Sequence, residues 1–239
     1  MVDGHRVGPL VSAAMSIQGS APPRTVVEQL VREAVYSRLG RPAPSHAAAP
    51  NPLRVNVSAR HCHVTQDALE ALFGKGHQLT VHRPLYQTGH FAAEETVTII
   101  GPRNKVISNL RILGPCRNHT QVELAHTDGI ALGFDLPHRI SGDIKGTIGA
   151  MLMGPAGYYE LHEGVIRAMR HVHMGPDDAA FYGVKARDIM RLAIGGPCAV
   201  TFERVLVRVD PTSRLEVHID TDEGNACNLQ PDTPCELMK

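Results

Sequence analysis

"RHCHVTQDALEALFG" (residues 60–74) and "RHVHMGPDDAAFYGV" (residues 170–184) are two Arg-His-x-His stretches, each leading into a helix-like segment that ends at a glycine. Side chains at i and i+2 share one face of a strand, whereas in a helix they diverge by roughly 200°. Two imidazoles can therefore approach one ion from a strand. One such pair is commonly an ordinary surface or packed pair, but repetition in matched contexts favours a site. The candidate ligand pairs are His61 with His63, and His171 with His173.

The residues that precede each pair predict its local structure. Before the first pair, "RVNVS" (54–58) alternates valine with polar residues, which is typical of a half-buried strand. Before the second pair, "LHEGVIRAMR" (161–170) has a helix-like pattern, and Met174-Gly175-Pro176 would break any helix that continued. Cys62 lies between two candidate ligands on the opposite strand face, so we predict a small apolar filler.

Composition limits the class of protein. The chain has 239 residues, of which 43% are hydrophobic and 4% aromatic, so it can form one large domain or two small ones. Its formal net charge is zero, which gives no electrostatic reason to expect a nucleic-acid partner. No apolar run approaches the ~18 residues that span a bilayer, so we expect no membrane partner. Five cysteines without a CxxC pair favour reduced thiols.

The pattern of the first 52 residues predicts an N-terminal extension that precedes the main domain. Residues 25–39, "TVVEQLVREAVYSRL", place apolar side chains at helical spacing, with a capping box at Thr25 and a stop at Gly40. The following "RPAPSHAAAPNP" is a Pro/Ala linker. A short amphipathic helix on a tether is a docking element, and a helix packed on its own domain is an equally weighted alternative.

The chain from 53 to 239 is rich in short valine and isoleucine runs separated by glycine and proline. This pattern favours a mainly β fold with short helices, in which antiparallel strands curl into small barrels. The order of histidine pair, short helix and strands occurs twice, which predicts two pseudo-symmetric barrels meeting across a pseudo-twofold axis. Both histidine pairs would then line one cleft and form a shared interfacial metal site.

Two further stretches offer residues for chemistry. "RLEVHID" (214–220) places His218 on a polar strand face, and "LGPCRNHTQVEL" (113–124) offers Arg117 and Glu123. Imidazoles with a single carboxylate suit zinc or a similar divalent metal, and an arginine nearby suits a carboxylate or phosphate. The alternative is that Arg117 and Glu123 form an ordinary surface ion pair. No dinucleotide, P-loop or GxSxG motif is present.

Several of these stretches, in this order, resemble one family: the phosphate propanoyltransferases of bacterial microcompartments, or PduL-type phosphotransacylases. The resemblance covers nearly everything from Leu53 to Leu229. The matching stretches are "VSARHCHVT", "FAAEETVTIIGPRNKV", "LRILGPCRNHTQVEL", "HVHM" and "VHIDTDEGNAC". It implies two pseudo-symmetric β-barrels, one of about 60–167 and one of about 53–59 plus 168–229, with two zinc ions at their junction.

The resemblance also implies site residues. One zinc would be held by His61, His63 and Glu123, and the other by His171, His173 and His218. Phosphate would be bound by Arg117 and Ser141. Coenzyme A would contact Ser58, Arg83, Arg111, Leu113 and Asn225.

The implied reaction is acyl-CoA + phosphate ⇌ acyl phosphate + CoA, with propanoyl-CoA as the expected substrate. Residues 25–39 would act as an encapsulation helix that binds shell or cargo proteins, placing the enzyme in a microcompartment lumen in the cytoplasm. A homo-oligomer is left open. A dinuclear zinc thioesterase using the same ligands is the main alternative, and a non-catalytic scaffold with structural zinc is another.

Overall fold

The computed structural model describes residues 51–239 and six positions of the N-terminal segment. Those six are Val27, Leu30, Val31, Ala34, Val35 and Arg38. All six are helical, with exposed side chains. The remainder of the predicted helix 25–39 and the Pro/Ala linker up to residue 50 lie outside the described residues. In the part of the chain that is described, no helix has the length and apolarity needed to cross a membrane.

Residues 51–239 form fourteen strands and four short helices, which confirms the mainly β prediction. In chain order the elements are β1 (Arg54–Ser58), β2 (His61–His63), α1 (Gln66–Phe73), β3 (Val81–Pro84), β4 (Phe91–Ile100), β5 (Val106–Gly114), β6 (Gln121–Glu123), α2 (His126–Leu132), β7 (His138–Arg139), β8 (Ile148–Met153), β9 (Tyr158–Ala168), β10 (His171–Met174), α3 (Pro176–Tyr182), β11 (Ile189–Ile194), β12 (Val200–Val209), β13 (Glu216–Asp220), α4 (Thr221–Ala226) and β14 (Cys235–Met238).

One sheet closes into a barrel. Strands β4, β5, β2, β6, β9 and β8 form a ring, because β8 pairs with both β4 and β9. Alternate side chains of these strands fill the interior, where Ile99, Leu110 and Ile112 are fully buried beside Leu69 and Leu72 of α1. Closure leaves no unpaired edge between these six strands. One of the two predicted barrels is thus present.

The second sheet is open. Its six strands run in the order β1, β13, β10, β12, β11, β14, and they curl over a separate core that includes Met174, Met190 and Leu192. The prediction of a second closed barrel is wrong, because no pairing joins β14 to β1. The first strand, β1, does join this sheet, beside β13.

The prediction of antiparallel barrels is also wrong, because both sheets are mixed. Parallel pairs join β1 to β13, β10 to β12, β2 to β5, and β9 to both β6 and β7. Parallel pairing needs a long crossover rather than a hairpin. Here α1 and α3 lie within such crossovers, and the whole barrel lies between β1 and β13 in the chain.

The segment before the second histidine pair is strand β9 rather than the predicted helix. Gly164, at φ +130°, has a backbone conformation that L side chains rarely adopt, and it interrupts the helix-like pattern. Val165 and Ile166 after it are fully buried. The apolar spacing that resembles a helix stripe therefore reflects a strand bent around a glycine.

Both histidine pairs lie on strands, as predicted, and each strand leads into a capped helix. Thr65 caps α1 by accepting a hydrogen bond from the Ala68 backbone N–H at 3.1 Å, and α3 begins at Pro176. The helices end at Gly74 and Gly183, both with positive φ. These caps fix the chain just beyond each histidine pair.

The strands that carry the histidines pair in the same register in the two halves of the molecule. On the barrel, β2 and β6 pair antiparallel, with His61 opposite Glu123. On the open sheet, β10 and β13 pair antiparallel, with His171 opposite His218. The histidine strands of the two halves therefore pair in the same way, although one sheet is closed and the other is open.

Candidate active site

The first ligand cluster lies on the barrel. His61, His63 and Glu123 are all buried, with 8%, 4% and 8% of their surface exposed. Each offers one ligand atom, and these atoms lie within 4.8 Å of one another. Glu123 Oε2 lies 3.6 Å from His61 Nε2. This spacing brings the three predicted ligands around one point.

The second ligand cluster lies on the open sheet. His171, His173 and His218 offer ligand atoms that also lie within 4.8 Å of one another. The rings of His171 and His218 are stacked, with centroids 5.0 Å apart and planes at 3°. The structure thus brings together both predicted trios.

Hydrogen bonds to Nδ1 orient most of these rings. When Nδ1–H donates to an oxygen, Nε2 keeps its lone pair for a metal, an arrangement typical of metal-bound histidines. The Nδ1 contacts are His61 with Ala59 O at 2.8 Å, His63 with Leu113 O at 3.0 Å, His171 with Met169 O at 2.9 Å and His218 with Ser58 Oγ at 2.8 Å. Backbone carbonyls therefore preorganise His61, His63 and His171, whereas the ring of His218 is held between Ser58 Oγ and Glu216 Oε2.

Burial keeps three of the imidazoles, those of His63, His171 and His173, neutral. Burial and the neighbouring histidine charges lower the pKa of His171 to about 3 and of His173 to about 2. Burial also holds the pKa of His63 well below its usual value. For Glu123 burial acts to raise the pKa, but His61, His63 and Ser141 together lower it to about 2. Neutral imidazoles and an ionised carboxylate are the protonation states in which these groups bind metals.

The donor sets fit zinc or a similar divalent ion. Two imidazoles with one carboxylate, and three imidazoles, are both ligand sets that zinc accepts. Each trio supplies three protein ligands, and a catalytic zinc keeps a further position open for water or substrate. The trios therefore resemble catalytic rather than closed structural sites.

Both trios line a single cleft of about 1340 Å³. Six other residues predicted for the site also line it, namely Ser58, Arg83, Arg111, Leu113, Arg117 and Ser141. Asn225 does not line the cleft, and its side chain is exposed on α4. Its predicted contact with coenzyme A stays a prediction.

Arg117 and Ser141 lie close to the first trio. Arg117 is half-buried and forms no salt bridge within the described residues, so a surface ion pair between Arg117 and Glu123 is wrong. The Ser141 hydroxyl donates a hydrogen bond to Glu123 Oε1 at 2.7 Å. Among the described residues Arg117 thus presents an unpaired guanidinium to the cleft, and Ser141 orients the carboxylate of Glu123.

Two polar side chains beside the ligands were missed as site residues. Gln121 Nε2 donates to Glu123 Oε1 at 2.6 Å, and Glu216 Oε2 lies 3.0 Å from His218 Nε2. Each lies two residues before a ligand on the same strand, so the period of two along "QVE" and "EVH" is a signal that could have found both.

The cysteines take no part in the site. All five are free, as predicted from their spacing. Cys62 faces the core with no exposed surface, and burial raises the pKa of its thiol to about 12. Cys62 is therefore the inert filler that its position between two ligands predicts.

Fold and site together define a mainly β protein in which two trios of candidate metal ligands face an arginine-lined cleft. A sequence model described as phosphate propanoyltransferase matches residues 54–230. The chain belongs to this family of phosphotransacylases, which are acyltransferase enzymes.

Relatives in several bacteria carry the same name. The chain is 55% identical to a phosphate propanoyltransferase of Planctopirus limnophila, over 90% of this chain and 91% of that protein. It is 48% identical to one from Thermotoga maritima, over 73% and 83% of the two chains. A third, from Rhodobacter capsulatus, is 38% identical over 91% of this chain and 99% of its own. The first and third matches cover more of the chain than residues 51–239 can supply, so both include part of the N-terminal segment.

Proposed function

We propose that this protein catalyses acyl-CoA + phosphate ⇌ acyl phosphate + CoA, with propanoyl as the acyl group. The observation that carries the proposal is the convergence, on one cleft, of two trios of ligand residues and the guanidinium of Arg117, which has no carboxylate partner in the described chain. The names of the relatives point to the same reaction.

In this proposal two zinc ions are held by the trios His61, His63, Glu123 and His171, His173, His218. When bound, zinc polarises carbonyl and phosphoryl oxygens and stabilises a thiolate. The protein's part is to keep His63, His171 and His173 neutral by burial, to orient imidazoles by hydrogen bonds at Nδ1, and to keep Glu123 ionised through the hydrogen bond that Ser141 donates to its Oε1.

The covalent change is one acyl transfer. A phosphate oxygen attacks the thioester carbon, the carbon–sulfur bond breaks, and CoA leaves as the thiolate. Arg117 binds the attacking dianion and offsets its charge near the carbonyl. We infer direct attack without an acyl-enzyme, since Cys62, the thiol between two ligands, is buried and inert. Trapping a covalent acyl-enzyme from labelled propanoyl-CoA in the absence of phosphate would contradict this.

Coenzyme A brings several phosphates, and the cleft offers cations for them. Arg83 is exposed on β3, and Arg111 on β5 lies opposite His61 in the strand register. Ser58 and Leu113 also line the cleft. We propose that these four residues and Asn225 contact coenzyme A.

A dinuclear zinc thioesterase is the rival function, and one measurement separates the two. Release of free thiol from propanoyl-CoA should require phosphate or arsenate if the proposal is right, and should proceed equally fast without either if the enzyme is a hydrolase. Arg117→Gln should lose most of the phosphate-dependent turnover while keeping its bound metal. If the metal is only structural and Arg117 has no role in turnover, Arg117→Gln should leave the measured thiol release unchanged.

The acyl group is assigned by the same assay. Acetyl or lactoyl differ from propanoyl by one methylene or hydroxyl, which changes discrimination by only about 1–3 kcal/mol. We propose propanoyl because the relatives are named for it. A kcat/KM that is higher for acetyl-CoA than for propanoyl-CoA would reassign the substrate but leave the reaction class unchanged.

We also propose that the N-terminal helix targets the enzyme to a microcompartment lumen by binding shell or cargo proteins. Four apolar side chains on its described turns are more than two-fifths exposed: Val27, Leu30, Val31 and Val35. Deletion of residues 1–46 should leave turnover intact and abolish co-purification with shells. Loss of activity in a soluble truncated protein would contradict the targeting role.

A further inference from the structure

A second arginine faces the candidate active site from the open sheet. Arg208 on β12 lies beside His173 on β10 in the parallel register of the two strands. Val207 and Val172 form the neighbouring pair and are buried in the core. Because successive side chains on a strand point to opposite faces, Arg208 and His173 share the cleft face. Arg208 is accordingly one of the residues that line the cleft.

The guanidinium of Arg208 has no counterion. Among the residues that the structure describes, it forms neither a salt bridge nor a side-chain hydrogen bond, and Arg117 likewise lacks a carboxylate partner. Of the other four arginines that line the cleft, Arg60 and Arg111 are engaged, whereas Arg83 and Arg187 form no ion pair among the described residues. Arg60 pairs with Asp128 at 3.0 Å, and the guanidinium of Arg111 donates to the carbonyl of Ala93.

Arg208 and Arg117 act on each other and on the second trio. Burial lowers the pKa of Arg117, Glu123 opposes this, and the positive charge of Arg208 lowers that pKa further. The charge of Arg208 also contributes to the lowered pKa of His173, after burial and the neighbouring histidines. Two cations that repel each other within one cleft are stabilised by an anion bound between them.

The two arginines approach from opposite halves of the molecule. Arg117 follows β5 of the barrel, whereas Arg208 belongs to the open sheet. We propose that Arg208 is a second phosphate-binding residue, which contacts the attacking phosphate opposite Arg117 and beside His173. This inference rests on the proposed function and deepens it, because it assigns one anion to both halves of the site.

Phosphate, rather than coenzyme A, is the anion assigned, because Arg208 is the strand neighbour of a metal-ligand residue and its guanidinium makes no other contact. A planar guanidinium group can donate hydrogen bonds to two oxygens of one phosphate at the same time, and the ammonium group of lysine does not reproduce this geometry. Arg208→Lys should therefore recover only part of the function.

The test compares Arg208→Gln and Arg208→Lys with Arg191→Gln, a matched change on the same sheet at an exposed arginine outside the cleft. Arg208→Gln should raise the KM for phosphate by about tenfold or more, with Arg208→Lys between it and the wild type. The KM for propanoyl-CoA and the metal content should stay within twofold, by a rough criterion. Calorimetric titration of inorganic phosphate into the metal-loaded protein, without acyl-CoA, should show the same weakening.

The outcomes separate this inference from the proposed function. An unchanged KM and an unchanged affinity for phosphate in Arg208→Gln would overturn the inference and leave the proposed function standing. A rise in the KM for propanoyl-CoA alone would also overturn it, since Arg208 would then serve coenzyme A. If wild-type thiol release needs no phosphate, the proposed reaction fails, and calorimetry still decides whether Arg208 binds phosphate.

Discussion

Glu123 and His218 hold equivalent positions in the two halves of the molecule, since each lies directly opposite the first histidine of its pair. One trio therefore contains a carboxylate, and the other contains imidazoles alone. With a divalent ion bound, the first site would carry one positive charge fewer than the second. The second site also has a carboxylate beside it, because Glu216 Oε2 lies 3.0 Å from His218 Nε2, but this group lies outside the trio.

Removing the charge of Glu123 should empty the first site selectively. Glu123→Gln replaces an ionised ligand by a neutral amide that binds zinc poorly, so we expect about one metal per chain instead of two. Elemental analysis of the purified protein measures this directly. Glu160→Gln, at an exposed carboxylate, is the control and should keep both ions. Two ions retained in Glu123→Gln would contradict the ligand assignment.

Ser141 should tune the affinity of the first site through Glu123. Its hydroxyl donates to Glu123 Oε1 at 2.7 Å, and residues that orient a ligand in this way typically contribute about tenfold to a hundredfold in metal affinity. Ser141→Ala should weaken one of the two sites by that factor in competition with a chromophoric chelator. Ser108→Ala, at an exposed serine on β5, should change neither site. If Ser141→Ala and the wild type bound metal with equal affinity, Ser141 would have no role in metal binding. Only its proposed contact with phosphate would then remain.

An ion-pair network joins the barrel to the open sheet, and its loss should destabilise the fold. Arg167 on β9 lies 2.8 Å from Asp220 Oδ2 and 3.3 Å from Glu223 Oε1, both carboxylates being buried. Arg167→Met leaves Asp220 without a basic partner, while Glu223 keeps Arg170 at 3.2 Å. The unpaired buried charge of Asp220 should reduce the free energy of unfolding by roughly 3 kcal/mol. Urea unfolding measures the difference. Arg191→Met, at an exposed arginine, should cost far less.

Local rules predicted that each of the two histidine pairs would come together. The i, i+2 spacing of His61 and His63 requires a strand to bring the rings together, and the residues after them contain a cap and a terminating glycine. These signals lie within about fifteen residues, the range over which periodicity and capping act. His218 was found because it lies on the polar face of an alternating run, whereas Glu123 was offered beside Arg117 and assigned to a zinc by the family resemblance.

Pairing between distant strands was not predictable from the same rules. Whether β14 closes onto β1 depends on contacts between residues nearly 180 positions apart, and no local pattern reports them. Arg208 was missed for a related reason. Its neighbour His173 is identified by the register of β10 and β12, which becomes known only with the fold.

Acid should destabilise the metal-free protein, starting near neutral pH. The folded state keeps His171 and His173 neutral, with pKa values lowered from 6.5 to about 3 and about 2, whereas the unfolded chain binds protons below about pH 6.5. Below that pH the unfolded state therefore binds more protons, and stability falls by up to about 1.4 kcal/mol per pH unit for each buried imidazole. Glu123, whose pKa falls from 4.5 to about 2, adds a loss in the same direction below about pH 4.5.

Urea unfolding of the metal-free protein at pH 7.5, 6.5 and 5.5 tests this pH dependence. We expect little change between the first two values and a clear loss at the third, because protonation of the unfolded histidines begins near pH 6.5. His173→Gln removes one of the buried imidazoles and should flatten the dependence. Stability that is constant or rises toward pH 5.5 would mean that the histidines are protonated in the folded protein, and the two trios would then not be prepared to bind metal.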